Sequence, residues 1–149
     1  MPRSIFEPPA RAEVLDRIGK LSPQSTARWG KLSVERVVPH MADQIRMALG
    51  DIPIERASGP LRFPVMRYLL IHVLPWPKGR AEAPQQAFTT SPSQFETDRG
   101  VLRDLVERIG ERAQQRQWPP NPVFGALNAR DWGVLTYRHL DHHLRQFGA

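Results

Sequence analysis

The chain of 149 residues contains no cysteine. This absence excludes disulfide bonds, thiolate metal sites and cysteine nucleophiles, so any metal ligand must come from histidine, aspartate, glutamate, the backbone or water. Long hydrophobic runs are absent as well. The longest, "YLLIHVLPW", is far shorter than the roughly 20 residues that a membrane-spanning helix needs. The opening "MPRSIFEPPA" lacks the apolar segment of a signal peptide, so we predict a cytoplasmic protein without a membrane partner.

Acidic residues are too few to balance the basic ones: 21 Lys and Arg stand against 15 Asp and Glu, which gives a net charge of +6. A basic balance is typical of many nucleic-acid-binding proteins. The arginines, however, are scattered singly, as in "ARAEVLDRIGK", and form no run. We therefore interpret them as a solvated surface. A non-catalytic basic bundle that binds nucleic acid or a protein partner stays the alternative.

Signals for β-structure are also missing, since no segment alternates apolar and polar residues between hairpin turns. Apolar residues recur instead at helical spacing in four long segments. The predicted helices cover residues 10–20, 34–49 after Ser33 as N-cap, 94–117, and 129–147 after Asn128 as N-cap, with a short helix over 65–74. These elements predict an all-α four-helix bundle that forms one domain over residues 1–149, with residues 1–9 as an extended N-terminal segment.

Prolines mark the boundaries of these elements. Pro39 falls within the second helix, where it either kinks the helix or delays its start. Residues 75–92, "PWPKGRAEAPQQAFTTSP", contain four prolines and are predicted to form a long loop. Because long loops in compact domains are often functional, we interpret this one as the rim of a pocket, with Lys78 and Arg80 over its mouth. Ser93 and Glu96 match a capping box at the start of the next helix.

Three of the five histidines lie within five positions of the C-terminal segment "TYRHLDHHLRQFGA". Residues four apart lie on one face of a helix, so His139 and His143 point the same way and can hold one metal ion. His142 points about 60° to the side of His139. His40, on the apolar stripe of the second helix, supplies a third ligand from a facing helix. Three neutral imidazoles with an open position suit Zn²⁺ or Ni²⁺.

The pattern also leaves a structural role open, because a histidine on an apolar face is usually a hydrogen-bonded core residue. His72 has no partner at ligand spacing, and we interpret it as structural. Asp43 and Gln44 are the nearest candidates to hydrogen-bond the ligand rings. Leu140 follows His139 where an H-E-x-x-H motif has glutamate, which disfavours peptidase-like hydrolysis.

Three segments, "RWGKLSVERVVPHMADQIRMALG", "LPWPKGRAEAP" and "FGALNARDWGVLTYRHLDHHLRQFGA", resemble a bacterial family of unknown function within the DinB/YfiT-like superfamily. The resemblance implies a four-helix bundle of DinB type with a metal held by His40, His139 and His143, while His142 is a competing ligand. Better understood relatives resemble metal-dependent thiol S-transferases and isomerases, and some hydrolases. The resemblance therefore implies a small-molecule substrate and a low-molecular-weight thiol cosubstrate. A homodimer formed through "WPPNPVFGAL" and Trp29 is left open.

Overall fold

The computed structural model describes residues 2–55, 58–79 and 88–149, and these residues form five α-helices and no strand. The helices are α1 (Pro8–Lys20), α2 (Val34–Leu49), α3 (Pro64–Tyr68), α4 (Phe95–Gly110) and α5 (Ala129–Gln146). A 3₁₀-helix, Pro60–Arg62, precedes α3, and a π-helix, Leu69–Val73, follows it. The prediction of an all-α fold is therefore confirmed.

The four long helices surround one hydrophobic core. Helix α1 contacts α4 and α5, and helix α2 contacts the same two helices. The largest fully buried side chains are Trp132, Ile5, Ile18, Leu21, Met41, Ile45, Ile71, Leu102, Ile109, Leu140, Leu144 and Val14. Because α2 lies against α5, residues on the buried faces of these two helices can meet. Within the described ranges, no helix combines the length and the apolar character needed to cross a membrane.

Helix α2 begins and ends where the sequence predicts. Ser33 occupies the N-cap position with extended backbone, although its side chain makes no capping hydrogen bond. Gly50 ends the helix in the left-handed region, with φ of 80°. Pro39 lies inside the helix, so the alternative of a delayed helix start is wrong. Val37 and Met41 on either side of it are fully buried, and this packing outweighs the hydrogen bond that a proline cannot donate.

Helix α5 starts as predicted. The side-chain oxygen of Asn128 accepts a hydrogen bond from the backbone N–H of Asp131 at 2.9 Å, which satisfies one unpaired donor of the first turn. The helix ends at Gln146, one residue before the predicted end, and Gly148 follows with φ of 75°.

Helix α1 begins at Pro8, two residues before the predicted start at position 10. Proline suits the first helical position because the backbone N–H that it lacks would be unpaired there in any case. The segment before α1 is attached to α5: Ile5 is fully buried, and its N–H donates to the carbonyl of Gly133 at 3.0 Å.

Helix α4 is shorter than predicted, and the predicted capping box is wrong. Ser93 donates through its backbone N–H (2.8 Å) and its hydroxyl (2.7 Å) to the carboxylate of Asp98, while Glu96 pairs with Arg99. The helix ends at Gly110 rather than at position 117. The polar run that follows, "ERAQQRQ", has no apolar stripe to bury, and helices in proteins depend mainly on such packing.

The predicted short helix over 65–74 forms as α3 continued by the π-helix. The guanidinium of Arg138 on α5 donates to the carbonyls of Leu70 at 2.9 Å and Ile71 at 2.7 Å. The indole N–H of Trp76 donates to the same Leu70 carbonyl at 2.9 Å. These bonds attach the segment to α5. Residues 80–87, which include Arg80, lie outside the described residues, so the predicted position of Arg80 is not part of the structure described.

The aromatic residues of "WPPNPVFGAL" pack against the core. Trp118 and Phe124 are partly buried there, and the ring of Trp118 lies 5.6 Å from that of Phe6. The indole N–H of Trp118 donates to the carbonyl of Gln115 at 2.9 Å. These contacts account for the two side chains within a single chain, and the homodimer stays a prediction.

Substitution of Gly133 by alanine should destabilise the fold. A Cβ at this position would lie 2.3 Å from Oγ of Ser4 and 2.6 Å from the ring of Phe6. We expect the free energy of unfolding, measured by urea denaturation, to fall by about 1–3 kcal/mol. Gly100→Ala is the matched control, because a Cβ there meets nothing within 4 Å. It should raise the free energy of unfolding by about 0.5–1 kcal/mol, and equal effects of the two substitutions would contradict the packing.

Candidate metal centre

Three histidine side chains meet between α2 and α5. His40 projects from α2, and His139 and His143 project from successive turns of α5. Nε2 of His40 lies 3.0 Å from Nε2 of His139 and 3.1 Å from Nε2 of His143. One ring nitrogen of each residue lies within 4.8 Å of the other two. The structure thus brings together the three residues predicted from the helical faces, here called the histidine cluster.

Two of the three cluster histidines are buried, His139 is partly buried, and the pKa of both histidines on α5 is lowered. His40 is 2% exposed and His143 is 8% exposed. Burial lowers the pKa of His139 well below its usual value, and repulsion from His143 and His40 lowers it further. Burial, followed by repulsion from His40, lowers the pKa of His143 to about 3. Neutral imidazole is the form in which histidine binds metals.

The hydrogen bonds around Gln146 fix the orientation and the tautomer of His143. The amide nitrogen of Gln146 donates to the backbone carbonyl of Trp29 at 2.8 Å, which identifies Oε1 as the other end of the amide. Nδ1 of His143 lies 2.7 Å from that oxygen and must be the donor, because a carbonyl oxygen only accepts. A neutral ring protonated at Nδ1 has a lone pair at Nε2, which points into the cluster.

The three Nε2 atoms cannot satisfy one another. Each neutral ring nitrogen has either one proton or one lone pair. Nε2 of His40 approaches both His139 and His143 at hydrogen-bond distance, yet it can donate or accept only one normal bond. A cation removes the conflict, because each nitrogen can then direct a lone pair at the ion.

The spacing fits a tetrahedral metal site. With metal–nitrogen bonds of about 2.0–2.1 Å, ligand nitrogens in such a site lie roughly 3.3 Å apart. The two separations from His40, 3.0 Å and 3.1 Å, need to open by only about 0.3 Å to reach that value. Imidazole ligands suit zinc, nickel, copper and iron, and the geometry alone does not choose among them. The three histidines could therefore hold one metal ion.

Aromatic side chains surround the cluster. The ring of Phe88 stacks on His40 with a centroid distance of 4.5 Å, and Trp76 lies 6.5 Å from His139. Both residues belong to the predicted loop over 75–92, so its described ends border the histidines. Apolar walls of this kind exclude water and strengthen electrostatic interactions inside a site.

His142 lies beside the cluster but is not part of the group that can share an ion. Its ring centroid is 5.1 Å from that of His143, 5.7 Å from that of Trp29 and 6.0 Å from that of Trp76. Burial lowers the pKa of His142, Asp141 opposes that change, and the positive charge of Lys78 adds to it. His142 therefore lies next to the histidine cluster without belonging to it.

The sequence missed Gln146, the residue seen to orient a cluster ring. Its spacing of three residues after His143 was the available signal, since i and i+3 lie on one helical face. Of the two candidates named from the sequence, Asp43 accepts from Thr90 through N–H (2.7 Å) and hydroxyl (2.6 Å). The amide nitrogen of Gln44 donates to the hydroxyl of Thr136 at 3.2 Å.

His72 has a structural position, which agrees with the interpretation from the sequence. Its Nε2 lies 2.8 Å from a carboxylate oxygen of Asp131 in the first turn of α5, and its ring stacks on Tyr68 at 5.0 Å. It does not belong to the group of residues that could share an ion. His72 therefore helps to attach the π-helix to α5.

These features define a class: an all-helical protein with a buried three-histidine cluster between two of its long helices. Within that class, the chain belongs to a protein family of unknown function, DUF1569, whose pattern it matches over residues 6–149. No curated protein and no solved structure matches the chain at a significant level.

The metal-free protein should lose stability as the pH is lowered. His143 stays neutral in the folded state down to a pKa of about 3, whereas in the unfolded chain it takes up a proton near pH 6.5. The stability that this difference contributes is present above about pH 6.5 and is lost as the pH falls toward the folded pKa. Urea denaturation of chelator-treated protein at several pH values measures the loss. His143→Gln removes the titrating group and should flatten the decline, so an unchanged slope would argue against a neutral buried ring.

Proposed function

We propose that this protein is a small metalloenzyme in which His40, His139 and His143 hold one divalent ion, with Zn²⁺ or Ni²⁺ as the expected metal. The observation that carries the proposal is the convergence of three Nε2 atoms that cannot satisfy one another. An ion bound there by three protein ligands keeps a position for water or a thiol and lowers the pKa of that group, which makes a nucleophile at neutral pH.

The chain's own residues contribute orientation and shielding. Gln146 holds the ring of His143 with its Nε2 lone pair toward the cluster. Phe88 covers one face of His40, and Trp76 stands beside His139. Residues that hydrogen-bond a ligand ring typically alter metal affinity by about 10- to 100-fold when they are replaced. Gln146 therefore supports the site by fixing the tautomer of His143.

The residue that follows His139 in the sequence limits the type of reaction. Position 140, where an H-E-x-x-H helix has its glutamate base, holds Leu140, which is fully buried in the core. A peptidase-like mechanism, which needs that base, is therefore disfavoured. Thiol transfer or isomerisation asks less of a general base, because a thiol ionises more readily than water. We infer an S-transferase-like or isomerase-like activity on a small molecule with a low-molecular-weight thiol, and keep a less demanding hydrolysis as the second option.

The proposal includes membership of the DinB/YfiT-like superfamily. It is supported by the contacts of α1 and α2 with both α4 and α5 and by the division of the ligands, one from α2 and two from α5. This is the arrangement that the resemblance of the sequence implies for a DinB-type bundle.

The alternative is a metal that braces α2 against α5 and catalyses nothing, in a basic bundle that binds a macromolecule. Several arginines already have partners within the chain, such as Arg17 with Asp141 at 2.8 Å and Arg108 with Asp51. These pairs leave less free positive charge for phosphate contacts. Retention on heparin that falls steeply with salt would favour the alternative, because phosphate contacts release counterions.

Metal content tests the ligand set. Purified, untagged wild-type protein should contain about one equivalent of metal by elemental analysis, and His40→Ala and His139→Ala should each lose most of it. Both variants should keep their helical circular dichroism, because core packing carries the fold. His142→Ala and His72→Ala are the matched controls and should retain the metal. Full metal content in His139→Ala, or its loss in His142→Ala, would show that the ligand assignment is wrong.

Cobalt substitution tests whether the ion has an open position. Cobalt(II) in the histidine cluster should give visible absorption, and a simple thiol should add a thiolate-to-metal band because it occupies the remaining position. A spectrum that no thiol or small anion changes would indicate closed coordination and a structural metal. Thiol-dependent turnover of small electrophiles, screened with the zinc- and nickel-loaded proteins, then identifies the reaction.

A further inference from the structure

The histidine cluster provides no negative charge to balance a divalent ion. Among residues 2–55, 58–79 and 88–149, the group that could share the ion consists of three histidines and no carboxylate. Asp141, between the two ligands of α5, is paired with Arg17 at 2.8 Å, and the fully buried Asp43 of α2 is paired with Arg46 at 2.9 Å and accepts from Thr90. An ion bound by three neutral imidazoles therefore retains its full double positive charge, which favours an anion at the open position.

Two further cations lie over aromatic rings, one of which contacts a cluster histidine and the other the neighbouring His142. Nζ of Lys78 lies 4.8 Å from the ring centroid of Trp29, and the edge of Trp29 contacts His142. The guanidinium of Arg36 lies 5.7 Å from the ring centroid of Phe88, which stacks on His40. Both cations are exposed, and neither forms an ion pair with an acid in the part of the chain that the structure describes.

Lys78 is connected to the ligand set by a short series of contacts. It lies over Trp29, the carbonyl of Trp29 accepts from Gln146, and Gln146 orients His143. A cation–π contact of this kind holds the ammonium near the aromatic wall and still leaves its N–H donors available to a ligand.

We propose that Lys78 and Arg36 select a small organic anion as substrate or cosubstrate: its carboxylate meets the cations at the edge of the histidine cluster, while its reacting group occupies the open metal position. The aromatic rings of Trp29, Trp76 and Phe88 provide the apolar surface for the rest of the molecule. This inference rests on the proposed function, because it assumes a metal with an open position. To the proposed function it adds that the substrate or cosubstrate is negatively charged and that Lys78 and Arg36 bind its carboxylate.

A matched pair of thiols tests the inference. 3-Mercaptopropionate and 3-mercaptopropionamide differ only in a carboxylate against a neutral amide, and their affinities for the cobalt-loaded protein follow from the thiolate absorption. In Lys78→Met and in Arg36→Met, the affinity for mercaptopropionate should fall by up to about fivefold, as expected for exposed charges, while the affinity for the amide changes by less than about twofold. For each protein we take the ratio of the mercaptopropionate affinity to the mercaptopropionamide affinity. Comparing this ratio between proteins cancels the intrinsic difference between the two thiols.

The controls separate charge from packing. Lys78→Arg keeps the charge and should restore the wild-type preference. Lys20→Met removes an equal charge from α1, where Lys20 pairs with Asp16 at 2.7 Å, and should leave both affinities unchanged. The preference in wild type should also weaken as salt is added, because exposed charges are screened. Equal mercaptopropionate-to-amide ratios in wild type, Lys78→Met and Arg36→Met, all fully loaded with cobalt, would overturn the inference and leave the proposed function intact. A wild-type protein that takes up no cobalt or gives no thiolate band would instead overturn the proposed function, and this inference with it.

Discussion

The arrangement of the molecule around its centre depends on one unsatisfied requirement: three inner ring nitrogens meet, and each of them can make only one normal hydrogen bond. Isolated imidazoles in a protein interior lose their hydration and need partners. In this fold His143 finds one on its outer side in Gln146, but its inner nitrogen faces His40, which also faces His139. A cation satisfies the three inner nitrogens together. The nitrogens that cannot satisfy one another are thus the same atoms that could bind a metal ion.

The buried polar residues of α2 share this organisation. His40, Asp43 and Gln44 lie on a helix whose remaining buried residues are mainly apolar, and each of these three is covered. Buried polar groups are tolerated when they are hydrogen-bonded. Thr90 supplies two donors to Asp43, and Thr136 accepts from Gln44. The polar side of α2 therefore links the helix to α5 and to the described end of the long loop, and it places His40 without leaving a buried charge unpaired.

Periodicity and capping predicted much of this from the sequence. The apolar stripe of α2 and the N-cap Asn128 of α5 lie where the sequence predicts, and the packing of α2 against α5 brings His40 toward His139 and His143. The end of α4 was predicted too late, because residues 111–117 have no apolar stripe whose burial would keep them helical. Ser93 also bonded to Asp98 rather than to Glu96, a choice between two acids on one helical turn that spacing does not decide. Tertiary hydrogen bonds, such as the one from the amide nitrogen of Gln146 to the carbonyl of Trp29, cannot be predicted from sequence spacing.

Two adjacent residues of α5, Arg138 and His139, contact different parts of the protein. The side chain of Arg138 holds the carbonyls of Leu70 and Ile71 in the π-helix, and the next residue, His139, points into the cluster. Trp76, which contacts the same Leu70 carbonyl, stands beside His139. A small rotation of α5 about its own axis would therefore move the ring of His139 and the attached π-helix together. Because Arg138 and His139 are consecutive residues, the backbone of α5 joins the π-helix directly to the histidine cluster.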